Sequence, residues 1–307
     1  MSESTEYQQI KLALRDAKCA AYVEGFKPPY NYVPSLGAGV AFCVLFGLSL
    51  AIHTAQFSWK RKWSYVLFSI GTLVEILGWA ARTWSAHCPY KMTPFLMQTS
   101  TLILAPTFFT AGIYIILGEF IRLLGRKSSI LSPTLYLCIF STCDVISLVI
   151  QAVGGGMASS ATNKINGNTK PGTNLMVGGI VFQMASITVF VIFAIDFLVR
   201  VIRLDLLRTL QGSVLPLFSA TAFSVLCIYV RSIYRTIELL QGWSGPIIST
   251  ERYFIVLDGC MMILAVAIFN VFHPAWFLPH RKEVDLTNGE ADKADTVRVY
   301  MSEAKTA

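Results

Sequence analysis

Two pairs of polar side chains stand seven residues apart inside otherwise apolar segments: Glu75 with Arg82, and Asp144 with Gln151. On a helix that spacing returns a side chain to nearly the same face two turns along. Further apolar segments carry Gln98, Gln183, Arg231, Arg235 and Asp258. Carboxylates of this kind can pair an ammonium group, guanidiniums can pair an anion, and amides can bind hydroxyls. Together these residues would suit a polar pocket for the head of an amphipathic molecule. A structural role competes, because polar contacts between membrane helices hold bundles together at about 0.6–2 kcal/mol each. A single pair does not decide between the two. Recurrence on one side of several segments favours the pocket.

The segments that must position these groups are membrane spans. The chain has 307 residues, 54% of them hydrophobic and 14% charged, against about 25% charged in soluble domains. Its apolar residues gather in seven runs near 33–56, 63–85, 92–118, 130–153, 175–199, 214–236 and 253–277, each about the length that crosses a bilayer as a helix. Alternating strand-like patterns of a membrane barrel are absent from the sequence. The fold class is therefore all-α, a polytopic membrane protein with seven transmembrane helices. The expected domains are an extracellular segment 1–32, a membrane domain 33–279 and a cytosolic polar tail 280–307, with both tails accessory to the bundle. The first apolar run begins too far in, and is too long, for a cleaved signal.

Charge sets the orientation. Lys60, Arg61 and Lys62 follow the first span, Arg122, Arg126 and Lys127 the third, Arg200, Arg203 and Arg208 the fifth, and Arg281 and Lys282 the seventh. The alternate loops are poorer, with Lys91 after the second span and Lys164 and Lys170 after the fourth. The positive-inside rule then puts the N-terminus outside and the C-terminus in the cytosol. In this frame the nine polar residues fall at mid-depth or in the outer half, and the inner half is more apolar. Trp59, Trp63, Trp84, Trp243 and Trp276 fall near span ends, as interfacial anchors do. Gly154, Gly155 and Gly156 would end the fourth helix at its outer side or let a neighbouring helix approach.

Catalytic signatures are missing. The sequence has no GxxxxGK[ST], HExxH or GxSxG, and its four histidines are scattered. The reading is no enzyme, with no catalytic residues, no metal and no cofactor. Without a nucleotide site, transport would draw on a gradient or run downhill. The net charge of +7 sits between spans, which argues against nucleic acid as a partner. Five of the seven cysteines lie within apolar runs and read as buried thiols. Cys19 and Cys88 lie outside them; a disulfide could join the two, but their spacing does not decide it.

Four stretches resemble the fungal RTA-like family, lipid-translocating exporters linked to toxic-lipid resistance and to export of sphingoid long-chain bases. They are VEILGWAARTWS (74–85), QTSTLILAPTFFTAGIYIILGEFIR (98–122), FSTCDVISLVIQAVGGGMAS (140–159) and GGIVFQMASITVFVIF (178–193). The segment 231–276, opening RSIYRTIE, is similar to the family's closing segment. The resemblance covers about residues 30–280, and its most specific patterns are D-x6-Q-x2-GGG and R-x2-YR-x2-E. It implies a seven-helix protein of the plasma membrane, or else an endomembrane, with an amphipathic lipid as client. Sphingoid bases, sterol-like amines and porphyrins are all clients within the family, so the resemblance leaves the substrate open. The expected function is ATP-independent movement of such a lipid through an outward-facing polar pocket. The alternative is a seven-helix lipid receptor or sensor that regulates lipid asymmetry or a stress response.

Overall fold

A backbone surrounded by lipid must satisfy its N–H and C=O groups internally, so each apolar run folds as a helix. The computed structural model describes residues 7, 9–10, 13–15, 17, 19–60, 66–125, 128–162, 167–204, 214–242 and 245–278. Among these are seven helices long and apolar enough to cross a membrane: α1 (Leu36–Lys60), α2 (Val66–His87), α3 (Met92–Leu124), α4 (Pro133–Thr162), α5 (Lys170–Arg203), α6 (Val214–Leu240) and α7 (Glu251–Phe277). Strands are absent among the described residues.

Successive helices pack side by side, and α7 closes against α1 to complete a ring. Two amides clamp that seam at one end: Asn270 Nδ2 donates to Ser49 Oγ (2.8 Å) and Gln56 Nε2 to the Asn270 carbonyl (2.8 Å). The helix α3 is the most enclosed of the seven, and it also touches α6 across the bundle. Aromatic side chains fill the space around it, among them Phe68, Phe109, Tyr114, Phe140 and Phe190. The outer surface is apolar, with Leu48, Val149, Ile192 and Leu226 exposed, as a lipid-facing surface requires.

Two departures from the sequence reading matter. The helix α4 runs past Gly154–Gly156 to Thr162, so the glycines do not end it. Gly154 takes the second role the sequence allows and admits α5, since a Cβ there would lie 2.4 Å from the Met176 backbone nitrogen. Gly172 reciprocates against Ala158 at the same distance, and contact between the two backbones is what small residues permit in membranes.

The N-terminal segment is also no accessory tail. A disulfide joins Cys19 to Cys88, just beyond α2. Tyr90 OH accepts the Val23 N–H (2.9 Å), and Tyr30 is buried against Phe95. The tail 280–307 lies outside the described residues, as do the basic residues Arg61, Lys62, Arg126, Lys127, Lys164 and Arg208 and the anchors Trp63 and Trp243.

Candidate polar site and amphipathic cavity

Arg231 and Arg235 are four apart on α6, so both guanidiniums leave one face. That face meets α7, where Ile255–Cys260 forms a wide π turn carrying Asp258; such turns are frequent at functional sites. The Asp258 carboxylate bridges both arginines, with Oδ1 at 2.7 Å from Arg231 Nε and 2.8 Å from Arg235 Nε. Arg235 Nη2 adds a bond to Oδ2 at 2.9 Å. One turn on, Glu238 takes Arg235 Nη1 (3.0 Å) and the Tyr234 hydroxyl (2.8 Å). Arg231 is held from a second side by α3. Pro106 has no N–H for the Leu102 carbonyl four residues back, and that carbonyl accepts from Arg231 Nη2 instead. The proline thus creates the acceptor that anchors the arginine. Glu75, on α2 and almost fully buried, lies in the field of Arg231, Asp258 and Arg235, and its Oε1 accepts no hydrogen bond.

A second node stands towards the N-terminal segment. Arg82 does not pair with Glu75 on its own helix. Its Nη2 donates to Glu251 Oε1 at the start of α7 (2.8 Å) and to Tyr32 OH (2.9 Å). Phe254 lies between the nodes, with Arg82 Cζ 4.4 Å and Arg235 Cζ 5.0 Å from its ring centroid, so one aromatic ring serves two cations. Tyr30 OH donates to Gln98 Oε1 (2.6 Å) and shares a bond with Ser85 (3.1 Å). Burial pushes the phenols of Tyr30 and Tyr32 above their ordinary range, so both remain protonated at physiological pH.

The remaining predicted residues face a cavity. Asp144, Gln151, Gln183, Arg231 and Arg235 line one space of about 40 Å³ between α3, α4, α5 and α6, room for a few waters or one ammonium-sized group. The charges in it are not equally matched. The two arginines are neutralised by Asp258 and Glu238. Asp144 receives only neutral donors, Thr110 Oγ1 at 3.2 Å and Tyr114 OH at 3.1 Å. Gln151 gives its Nε2 to Gln183 Oε1 (3.0 Å), while its own Oε1 is buried without a partner. The cavity therefore offers a carboxylate with no cationic partner and an amide oxygen with no donor, both acceptors. Gln151 and Ile103 also border a second, larger chamber of about 880 Å³ between the neighbouring ends of α3 and α4. That chamber is lined mainly by apolar and small side chains, among them Phe95, Leu104, Leu148 and Ala152.

Residues 68–281 match the family described as RTA1 like protein. The chain belongs to this family. Among its relatives, the sphingoid long-chain base transporter RSB1 of Saccharomyces cerevisiae is 32% identical, over 85% of this chain and 77% of its own length. Protein RTA1 of the same yeast is 32% identical over 80% of this chain and 84% of its own. The yeast protoporphyrin uptake protein 1 is 28% identical over 79% and 90%. No solved structure matches the chain.

In this RTA1-like protein the nine predicted residues divide by geometry. Five share the small cavity; Glu75 and Asp258 pack behind it; Arg82 and Gln98 belong to the node near the N-terminal segment. Sequence reasoning missed Glu251, Tyr30, Tyr32, Thr110 and Tyr114. For Glu251 a signal existed, since it precedes Asp258 by the same seven residues that separate the other pairs. The tyrosines and threonine carry no charge, and hydroxyls are common enough in membrane helices that only packing singles them out.

Proposed function

We propose that this protein carries amphipathic lipids with small cationic heads, sphingoid long-chain bases foremost, across the plasma membrane without ATP. One observation carries the reading: a small polar cavity with an uncompensated carboxylate lies beside a larger, mainly apolar chamber, and Gln151 belongs to both. An ammonium group would pair with Asp144, and a neighbouring hydroxyl would donate to Gln151 Oε1. A cavity of about 40 Å³ suits an amine or hydroxyl better than a bulky phospholipid head. The relative whose name specifies long-chain base transport supports the same substrate class.

In this reading the cavity faces outwards, with the N-terminus outside and the basic loops in the cytosol. The disulfide between Cys19 and Cys88 supports that orientation, because such bonds persist in oxidising compartments. The deciding experiment reconstitutes the protein in liposomes with a fluorescent long-chain base in one leaflet. Protein-dependent movement to the other leaflet is the expected result. Saturable binding without movement would instead make the protein a sensor.

A further inference from the structure

The three consecutive glycines of α4 have different surroundings. A Cβ on Gly154 would collide with the α5 backbone; one on Gly155 would meet only Met176 Sδ at 3.9 Å, and one on Gly156 would meet nothing within 4 Å. Both Gly155 and Gly156 line the large chamber, as do Ala152 and Ser159 on the same helix. Gly155 and Gly156 are thus not needed for helix packing. Their lack of side chains leaves the chamber open.

Two further observations bear on what enters it. Val149, Ala152 and Gly156 border the chamber and are exposed, so it is open along this part of the spanning helix α4. At its inner end stands Gln151, 4% exposed, with Oε1 unpartnered. Arg15 and Pro29 of the N-terminal segment border it too, beside the disulfide-held stretch. A volume of about 880 Å³ is within the ~300–1,000 Å³ of small-molecule sites. An open apolar side with a polar end fits an alkyl chain whose head has reached the small cavity.

We propose that the chamber between α3 and α4 binds the single alkyl chain of the amphipath, admitted laterally from the bilayer, and that Gly155 and Gly156 set the width available to it. This inference rests on the amphipath reading of the polar cavity, but chain occupancy can be measured without movement. The probe is a long-chain primary amine with a diazirine near its chain end, added to the full-length protein in phosphatidylcholine liposomes and photolysed.

Adducts are expected on residues 92–104 and 148–160. Gly156→Leu should lower them about tenfold or more, the scale on which a pocket rejects added bulk. The same variant should keep its thermal midpoint, because the new side chain meets open space. Adducts spread over the lipid-facing helices, or unchanged in Gly156→Leu, would overturn the inference while leaving the transport reading intact. Chamber adducts in a protein that moves no lipid would overturn transport and leave the chain site standing.

Discussion

Asp258→Asn tests whether the ion cluster is structural. The native carboxylate lies within 2.7–2.9 Å of nitrogens on two guanidiniums and is 2% exposed. Removing one partner of a buried pair costs about 3–5 kcal/mol, because a charge is left uncompensated. Here the loss is moderated: Arg235 retains Glu238, and Arg231 retains the Leu102 carbonyl. The expected cost is therefore at the lower end, about 3 kcal/mol, roughly a hundredfold in the folding equilibrium. The assay is reversible unfolding in mixed micelles, followed by helical circular dichroism. Adding Arg231→Met to Asp258→Asn should recover part of the loss, since Arg231 is then the cation left without a carboxylate. A loss below about 1 kcal/mol for the single variant, the range of an exposed pair, would refute the view that Asp258 neutralises both arginines.

Asp144→Asn should behave in the opposite way. Its partners are neutral hydroxyls, so stability should fall by only about 1 kcal/mol, while liposome transport of a long-chain amine falls tenfold or more; normal transport would remove Asp144 from the site. Gly154→Leu should abolish a well-folded, monodisperse protein, in contrast to Gly156→Leu, because its side chain enters the α5 backbone; size-exclusion profiles compare the two. Cys19→Ser should cost about 2–4 kcal/mol by freeing the 69-residue separation that the disulfide closes, read as a lower thermal midpoint matched by reduction of the parent protein. Arg82→Lys should cost about 1–2 kcal/mol, since an ammonium keeps the charge opposite Glu251 but gives up the planar stacking on Phe254; an unchanged midpoint would discount that stacking.

Helix number and type were legible because lipid leaves a chain few options. Seven apolar runs of spanning length fold as helices wherever they occur, and the seven-residue spacings showed which polar groups share a face. Periodicity is a property of one helix, however, and pairing is a property of two. The Glu75–Arg82 spacing could not show that Arg82 pairs with Glu251, a partner 169 residues away. Nor could it show that a proline on α3 frees the carbonyl that anchors an arginine on α6.

The glycines make the same point at the backbone. GGG in the sequence suggested an end or a contact. Tertiary packing decided that Gly154 is the contact, that Gly155 and Gly156 face a chamber, and that the helix continues to Thr162. By itself the sequence determined that this is a seven-helix membrane protein with polar groups buried on one side, because hydropathy and helix period are local quantities. Only the folded bundle decided which of those charges neutralise one another and which carboxylate is left facing a cavity, because neutralisation depends on distances between helices.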